Sequence, residues 1–425
     1  MTVISRPSKL GTWLRRYSLL IVAGIGGAAG VAYAGLHSAG SSSTNVQNTV
    51  SIAMVQNAPP QAKTPTPKAE PKMARDTATD TVQIALLLDT SSSMDGLINQ
   101  ARAQMWNMVS NMGQMTRVVN GKVRGVKVEL ALYEYGNDAQ PASKGFIRQV
   151  TPFSSDLDSV SERLNALYTN GGEEYAGEAI KTAANELQWS KDPNALRFIY
   201  IAGNESFDQG PITAAEAIKA AAAKDIDVQM ILCGTPQSDT GWDSAAKLAK
   251  TDLMTIDMNQ VAQAIATPQD DEILKVNQQL NGTYMAYGTE GGESLARQQT
   301  QDATSARMSK KVAIERSMLK GKANYDNAQW DVIDAQKNDD KFIETAKDGD
   351  LPPELRGKTV EEKKQIVMEN AAKRAKLQAK LSQLETARND FLAADAKKSA
   401  KPVEQTLENE LMKSSRKMAS KKGYK

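Results

Sequence analysis

No Lys, Arg, Asp or Glu occurs between Arg16 and Lys63, and the first part of that stretch, Tyr17 to about Leu36, is apolar or small. Arg15 and Arg16 stand just before it. Positive charge ahead of an apolar run sets the N-terminus on the cytoplasmic side of a membrane. Ala32-Tyr33-Ala34 before Gly35 fits the small-x-small pattern of a signal peptidase cut, while about 20 residues is also the minimum for a spanning helix. Residues 1–37 are therefore expected to be a signal peptide or a retained N-terminal membrane anchor. Either places the rest outside the cytoplasm, in the periplasm or held at the inner membrane facing it. Residues 38–80, with Gly40-Ser41-Ser42-Ser43 and prolines 59, 60, 65, 67 and 71, read as a disordered spacer.

Regular patterning begins at Val82. Val82 to Leu88 is a nearly continuous apolar run, as a strand buried on both faces would be. Similar strand patterns recur at Val126–Tyr133, Phe146–Val150, Leu196–Ile201, Ile226–Leu232 and Leu253–Ile256. Between them, helical spacing appears from Leu97 to Met112, Leu157 to Leu167, Glu174 to Leu187, Thr213 to Ala223 and Trp242 to Ala249. Such alternation predicts an α/β, doubly wound, mainly parallel sheet over residues 81–267, with ligands at the carboxyl ends of its strands.

Residues 268–293 read as a connecting segment, with Gly288, Gly291 and Gly292 at its end. No Lys-Ser or Lys-Thr follows those glycines, so they are not a phosphate loop. Beyond Glu293 the composition turns to Ala, Lys, Gln, Glu and Met, which favours long helices. One helical stretch is expected from Leu295 to about Ala346, a stop at Gly349–Pro353, and another helix opened by the capping box Thr359-Val360-Glu361-Glu362. The apolar seam of this second helix (Val367, Leu377, Leu381, Leu384, Phe391) is interrupted by Asn370, Arg374 and Arg388. Residues 294–425 are thus expected to be a basic helical tail, hairpin or coiled-coil-like, separable from the sheet domain and touching it mainly through charge.

Charge supports that division. Residues 1–75 hold 8 basic against 1 acidic residue, residues 76–293 hold 16 against 29, and residues 294–425 hold 28 against 20. An acidic middle argues against nucleic acid as a partner. The single His, His37, lies in the N-terminal segment, and the single Cys, Cys233, ends an apolar strand. Multi-Cys zinc sites, disulfide scaffolds and His-based triads are thereby excluded, and no catalytic residues or enzymatic activity are expected.

Asp89-Thr90-Ser91-Ser92-Ser93 lies between the first strand and its helix. The Asp-x-Ser-x-Ser motif in this setting resembles the von Willebrand factor A, or integrin I-like, domain, here in an exported bacterial protein. The resemblance implies a doubly wound sheet with one antiparallel edge strand and a MIDAS-like site where a divalent cation, Mg²⁺ or alternatively Mn²⁺ or Ca²⁺, binds an acidic group on a protein partner. Asp89, Ser91 and Ser93 are the implied metal ligands, and their oxygens suit a hard cation. Asp89-Thr90-Ser91 would equally serve as a helix cap. In the second loop, Glu173 stands where the family has Thr or Asp after Gly171-Gly172, and would ligate the metal or cap the next helix. In the third, Gly203 replaces the family's Asp, leaving Asn204, Glu205 or Asp208 as substitutes. Two functions follow: an exported binding protein that uses the cation, or an envelope structural protein that acts through its tail with a degenerate metal site. In either, the partner protein is unidentified, and the N-terminal segment would supply any membrane attachment.

Overall fold

The first strand is longer than its apolar run. The computed structural model describes residues 75–234, 240–258, 265–399 and 407–425, and β1 spans Arg75–Asp89. It begins six residues inside the expected spacer. Ion pairs explain the extension: Asp80, buried, accepts Arg117 at 2.9 Å, and Asp76 accepts Arg124 at 2.6 Å. The export segment and the rest of the spacer lie outside the described residues. Among the described residues, no helix is long and apolar enough to cross a membrane.

The sheet order is β2 (Arg117–Val119), β3 (Lys122–Tyr135), β1, β5 (Leu196–Gly203), β6 (Asp227–Cys233) and β7 (Met254–Ile256), with β4 (Arg148–Ser154) also paired to β3. The pairs from β3 through β1 to β7 are parallel, whereas β2 and β4 run antiparallel along the outer edge of β3. The β2–β3 hairpin is absent from the strands expected from the pattern. Its signal was Asn120-Gly121, whose positive φ angles of 50° and 74° suit a tight hairpin turn.

Alternation along β1 divides two cores. Val82, Ile84, Leu86 and Leu88 face one side, Ala85 and Leu87 the other. The second side is covered by α3 (Ala176–Glu186), α4 (Ala214–Ala222) and α5 (Trp242–Ala249), through small residues such as Ala179, Ala217 and Ala245. The first side is covered by α1 (Asp95–Met112), α2 (Leu157–Asn165) and residues from far down the chain.

Those distant residues change the picture of the tail. The supposed connector contains α6 (Asp270–Asn281), which buries Ile273, Val276 and Leu280 in the same core as α1. The expected Leu295–Ala346 helix is broken into α7 (Gly291–Met308), α8 (Lys310–Lys320), α9 (Val332–Asn338) and the short α10 (Phe342–Thr345). The second helix, α11 (Val360–Ser399), does start at the Thr359–Glu362 box, with Glu362 N–H donating to Thr359 Oγ1 at 3.2 Å. It packs against α6, α8, α9 and α10 rather than pairing with one antiparallel helix, so it forms neither a hairpin nor a coiled coil. The last helix, α12 (Leu407–Ser420), lies against α1 and β7, and Leu411, Met412 and Met418 join the sheet core.

The expected separability is not met, because tail and sheet share one hydrophobic cluster. The polar interruptions are anchors. Arg374, 3% exposed, donates to Asp331 at 2.6 Å and lies 4.2 Å from the Tyr284 ring centroid. Arg388 donates to buried Asp270 at 3.1 Å. Arg316 on α8 donates to Asp158 of α2 at 2.6 Å.

Candidate functional site

Where β1 ends, four short segments meet: Asp89–Asp95 leading into α1, Gly136–Gln140 after β3, Tyr168–Tyr175 before α3, and Gly203–Gly210 after β5. Backbone hydrogen bonds tie the first three. Thr90 N–H donates to Tyr135 O at 2.9 Å, Asn170 N–H to Thr90 O at 2.9 Å, Ser92 N–H to Gly171 O at 2.6 Å, and Asp138 N–H to Asn170 O at 3.1 Å. This is the crevice at the carboxyl edge where doubly wound sheets place their ligands.

Asp89 is 0% exposed. Its Oδ1 accepts Ser91 N–H at 2.7 Å, while Oδ2 has no hydrogen-bond partner. The Ser91 and Ser93 hydroxyls are 3.5 Å apart. Asn204 donates Nδ2 to Ser93 Oγ at 2.9 Å, and its buried Oδ1 is a second acceptor without a partner. α1 is capped at Met94 with no side-chain cap, so the Asp-Ser-Ser run does not serve as a side-chain cap for that helix.

The acid beside Asp89 is Glu174, not Glu173. Glu174 is 3% exposed, whereas Glu173 is exposed. A Gln209 Oε1 bond to Glu174 N–H, at 3.0 Å, fixes this turn, and α3 starts only at Ala176, so Glu173 lies outside its first turn as well. A side chain on Gly136 would lie 2.9 Å from Asp89 Oδ1 and 3.0 Å from Glu174 Cγ, which shows how closely both acids approach that loop. Glu205 is exposed, and its carboxylate accepts Gln209 Nε2 at 2.9 Å instead of reaching Ser93.

Gly203 has a physical reason. A side chain there would begin 2.4 Å from the Tyr135 hydroxyl, 3.1 Å from the Trp242 ring and 3.4 Å from Asp89 Oδ2. Tyr135, whose hydroxyl donates to Ala202 O at 2.9 Å, fills the space an acidic side chain would need. Asn204 is the third-loop residue that reaches Ser93.

The electrostatics are those of two carboxyls crowded into one buried place. Burial, and then the Glu174 carboxyl, push Asp89 well above the usual carboxylate range; burial also raises Glu174. Burial, followed by the charges of Asp89 and Glu174, likewise raises the Cys233 thiol, an inert buried group. Two carboxyls in such a place must share a proton or a cation. The donors present are two carboxylates, two hydroxyls and one amide oxygen, a set suited to a hard divalent ion. Among the described residues no group of three or more His, Cys, Asp or Glu side chains could hold a metal, so neutral oxygens would complete this one.

Residues 83–270 match the von Willebrand factor type A domain model. No curated protein sequence matches the chain. Among solved structures, similarity extends to BatB from Bacteroides thetaiotaomicron, at 18% identity over 41% of this chain and 90% of that one (TM-score 0.31). The type V pilus tip protein Mfa5 from Porphyromonas gingivalis matches in its vWF domain at 13% identity, over 43% and 91% (0.31). Proximal thread matrix protein 1 from the mussel byssus, with a zinc-occupied MIDAS motif, matches at 12%, over 43% of each chain (0.33). The chain thus spans under half of the mussel protein.

Proposed function

With residues 83–270 a von Willebrand factor type A domain, we propose that this chain is an exported, non-enzymatic binding protein that engages a protein partner through a divalent cation. Asp89, Ser91, Ser93 and Glu174 would hold the cation, with Asn204 beside them, and Mg²⁺ suits these hard oxygens best. The bound ion would supply an electrophilic centre at the surface for a partner oxygen. One observation carries the reading: the fully buried Asp89 has an unpartnered Oδ2 next to a second buried carboxyl. Left ionised and empty, that arrangement is costly; a divalent ion satisfies both acids at once. The alternative of an envelope protein acting through its tail has less support, since the tail turns its apolar and ionic anchors inward on the domain.

The test is the melting temperature of the full chain with and without ~10 mM Mg²⁺ or Mn²⁺, far above the needs of most extracellular sites. A ligand at ~100 times its dissociation constant stabilises by about 2.7 kcal/mol. Wild type should shift upward and Asp89→Asn should not. An unchanged wild-type melt would remove the cation reading.

A further inference from the structure

The segments around the site carry more acid than a cation needs. Beyond Asp89 and Glu174 they hold Asp95, Asp138, Glu173, Glu205 and Asp208, all exposed, and no Lys or Arg. All five lie in the four segments that meet at this edge. Asp95 Oδ1 accepts Thr169 Oγ1 at 2.6 Å. Asp138 packs so closely over Gly171 that a side chain begun there would lie 2.2 Å from its Cγ. Asp208 lies 2.8 Å from the corresponding point on Gly241. Arg102 of α1 offsets part of the Asp95 charge, while its guanidinium donates to the Asn165 and Leu167 carbonyls at 3.2 and 2.6 Å. What marks the cluster as a binding site rather than a solvated acidic surface is the buried, unpartnered Asp89 Oδ2 at its centre.

Two buried carboxylates balance a divalent ion, so the five exposed acids of these loops would outnumber Arg102 and leave the surroundings of the loaded site negative. A partner carboxylate would approach against that field, whereas a cationic segment would be drawn into it. Tyr168, 61% exposed on the same loop, offers an aromatic face of the kind that receives ammonium or guanidinium groups. We infer that the segment of the partner protein that meets this site is basic. It pairs Lys or Arg side chains with the rim and offers a neutral oxygen, a backbone carbonyl or a hydroxyl, to the cation. This replaces the acidic partner group that the family resemblance implies, and it rests on the cation reading above.

The experiment uses the full chain in 5 mM Mg²⁺ and two labelled nonapeptides of Gly, Ser and three Lys or three Glu, compared by fluorescence anisotropy at low salt. The Lys peptide should bind at least tenfold tighter than the Glu peptide, and its affinity should fall as ionic strength rises past ~0.15 M. Neutralising the rim in the combined variant D95N/D138N/E173Q/E205Q/D208N should cost at least tenfold. Neutralising five tail acids instead (D340N/E354Q/E361Q/E369Q/D390N) should cost less than twofold. The double variant D138N/E205Q, with a melt like wild type, serves if the fivefold one does not fold, and should cost at least threefold. Tighter binding of the Glu peptide, or equal losses in rim and tail variants, overturns the inference. The Mg²⁺-induced melting shift is read on the same samples: its presence with preference for the Glu peptide sinks only the basic-partner inference, whereas its absence sinks the cation reading itself.

Discussion

Replacing Arg316 by Met should unfold this protein far more readily than any change to a solvated helical arm could. Arg316 is 1% exposed and joins α8 to the sheet domain. Its guanidinium donates to Asp158 at 2.6 Å, to Asp302 at 2.5 Å and to the Gln298 carbonyl at 3.0 Å, and lies 4.5 Å from the Trp106 ring centroid. Methionine fills much of the volume but leaves Asp158 buried, with the Tyr325 hydroxyl at 2.5 Å. Removing one partner of a buried ion pair costs about 3–5 kcal/mol. With about 2.1 cal/mol/K of unfolding entropy per residue, a unit the size of Glu70–Lys425 shifts by about 1.3 °C per kcal/mol, so the melting temperature should fall by about 4–7 °C. Calorimetry of the full chain should show one cooperative transition moving as a whole. Asp158→Asn added to Arg316→Met should recover part of the loss, because the uncompensated charge is gone. Lys310→Met, which breaks an exposed pair with Asp271, should cost less than about 1 kcal/mol. If Arg316→Met melts within about 1 kcal/mol of wild type, or if a separate tail transition moves while the domain's does not, the shared core is refuted.

Other consequences follow from the same contacts. Glu174→Gln should shrink the Mg²⁺-induced melting shift and Glu173→Gln should leave it, since only Glu174 is buried beside Asp89. Gly203→Ala should cost about 1–3 kcal/mol by overpacking against Tyr135, and urea midpoints should show a smaller cost in a Tyr135→Phe background, where the crowding hydroxyl is gone. Burial, then the Asp331 charge, raises Asp334 to about 6 from an ordinary 3.8. The native state therefore holds that proton where the unfolded chain has lost it, and the Asp334 contribution to stability falls as pH rises from about 4 to about 6. Asp334→Asn should flatten that fall when urea midpoints at pH 4.5 and pH 7 are compared. Deleting residues 407–425 removes Leu411 from its place over Leu88, Tyr200 and Ile231, so the shortened chain should bind a hydrophobic dye strongly in its native buffer.

The central strands were legible because burial on both faces favours long apolar runs, and β1, β5 and β6 carry them with single polar interruptions at Gln83, Arg197 and Gln229. The candidate site was legible in its first loop for a related reason, since Asp89, Ser91 and Ser93 stand where a buried strand ends. The second loop was not. Glu173 and Glu174 are adjacent in irregular backbone, where no periodicity says which turns inward; a contact from Gln209, 35 residues on, decides it. Arg374 and Arg388 read as breaks in an apolar seam because a single sequence does not display their partners. With Asp331 at the start of α9 and Asp270 at the start of α6 in place, they tie α11 to those two helices. The β2–β3 hairpin rests on a short local signal, Asn120-Gly121 between Val119 and Val123, with no long apolar run beside it.

The claim at the centre of this account is that the buried acid pair is a cation site, and a Mn²⁺ titration of the full chain followed by electron paramagnetic resonance tests it most directly. The account predicts one bound Mn²⁺ per chain, displaced by excess Mg²⁺ and lost in Asp89→Asn. Free-ion signal alone at millimolar Mn²⁺, or binding that survives Asp89→Asn unchanged, would contradict it.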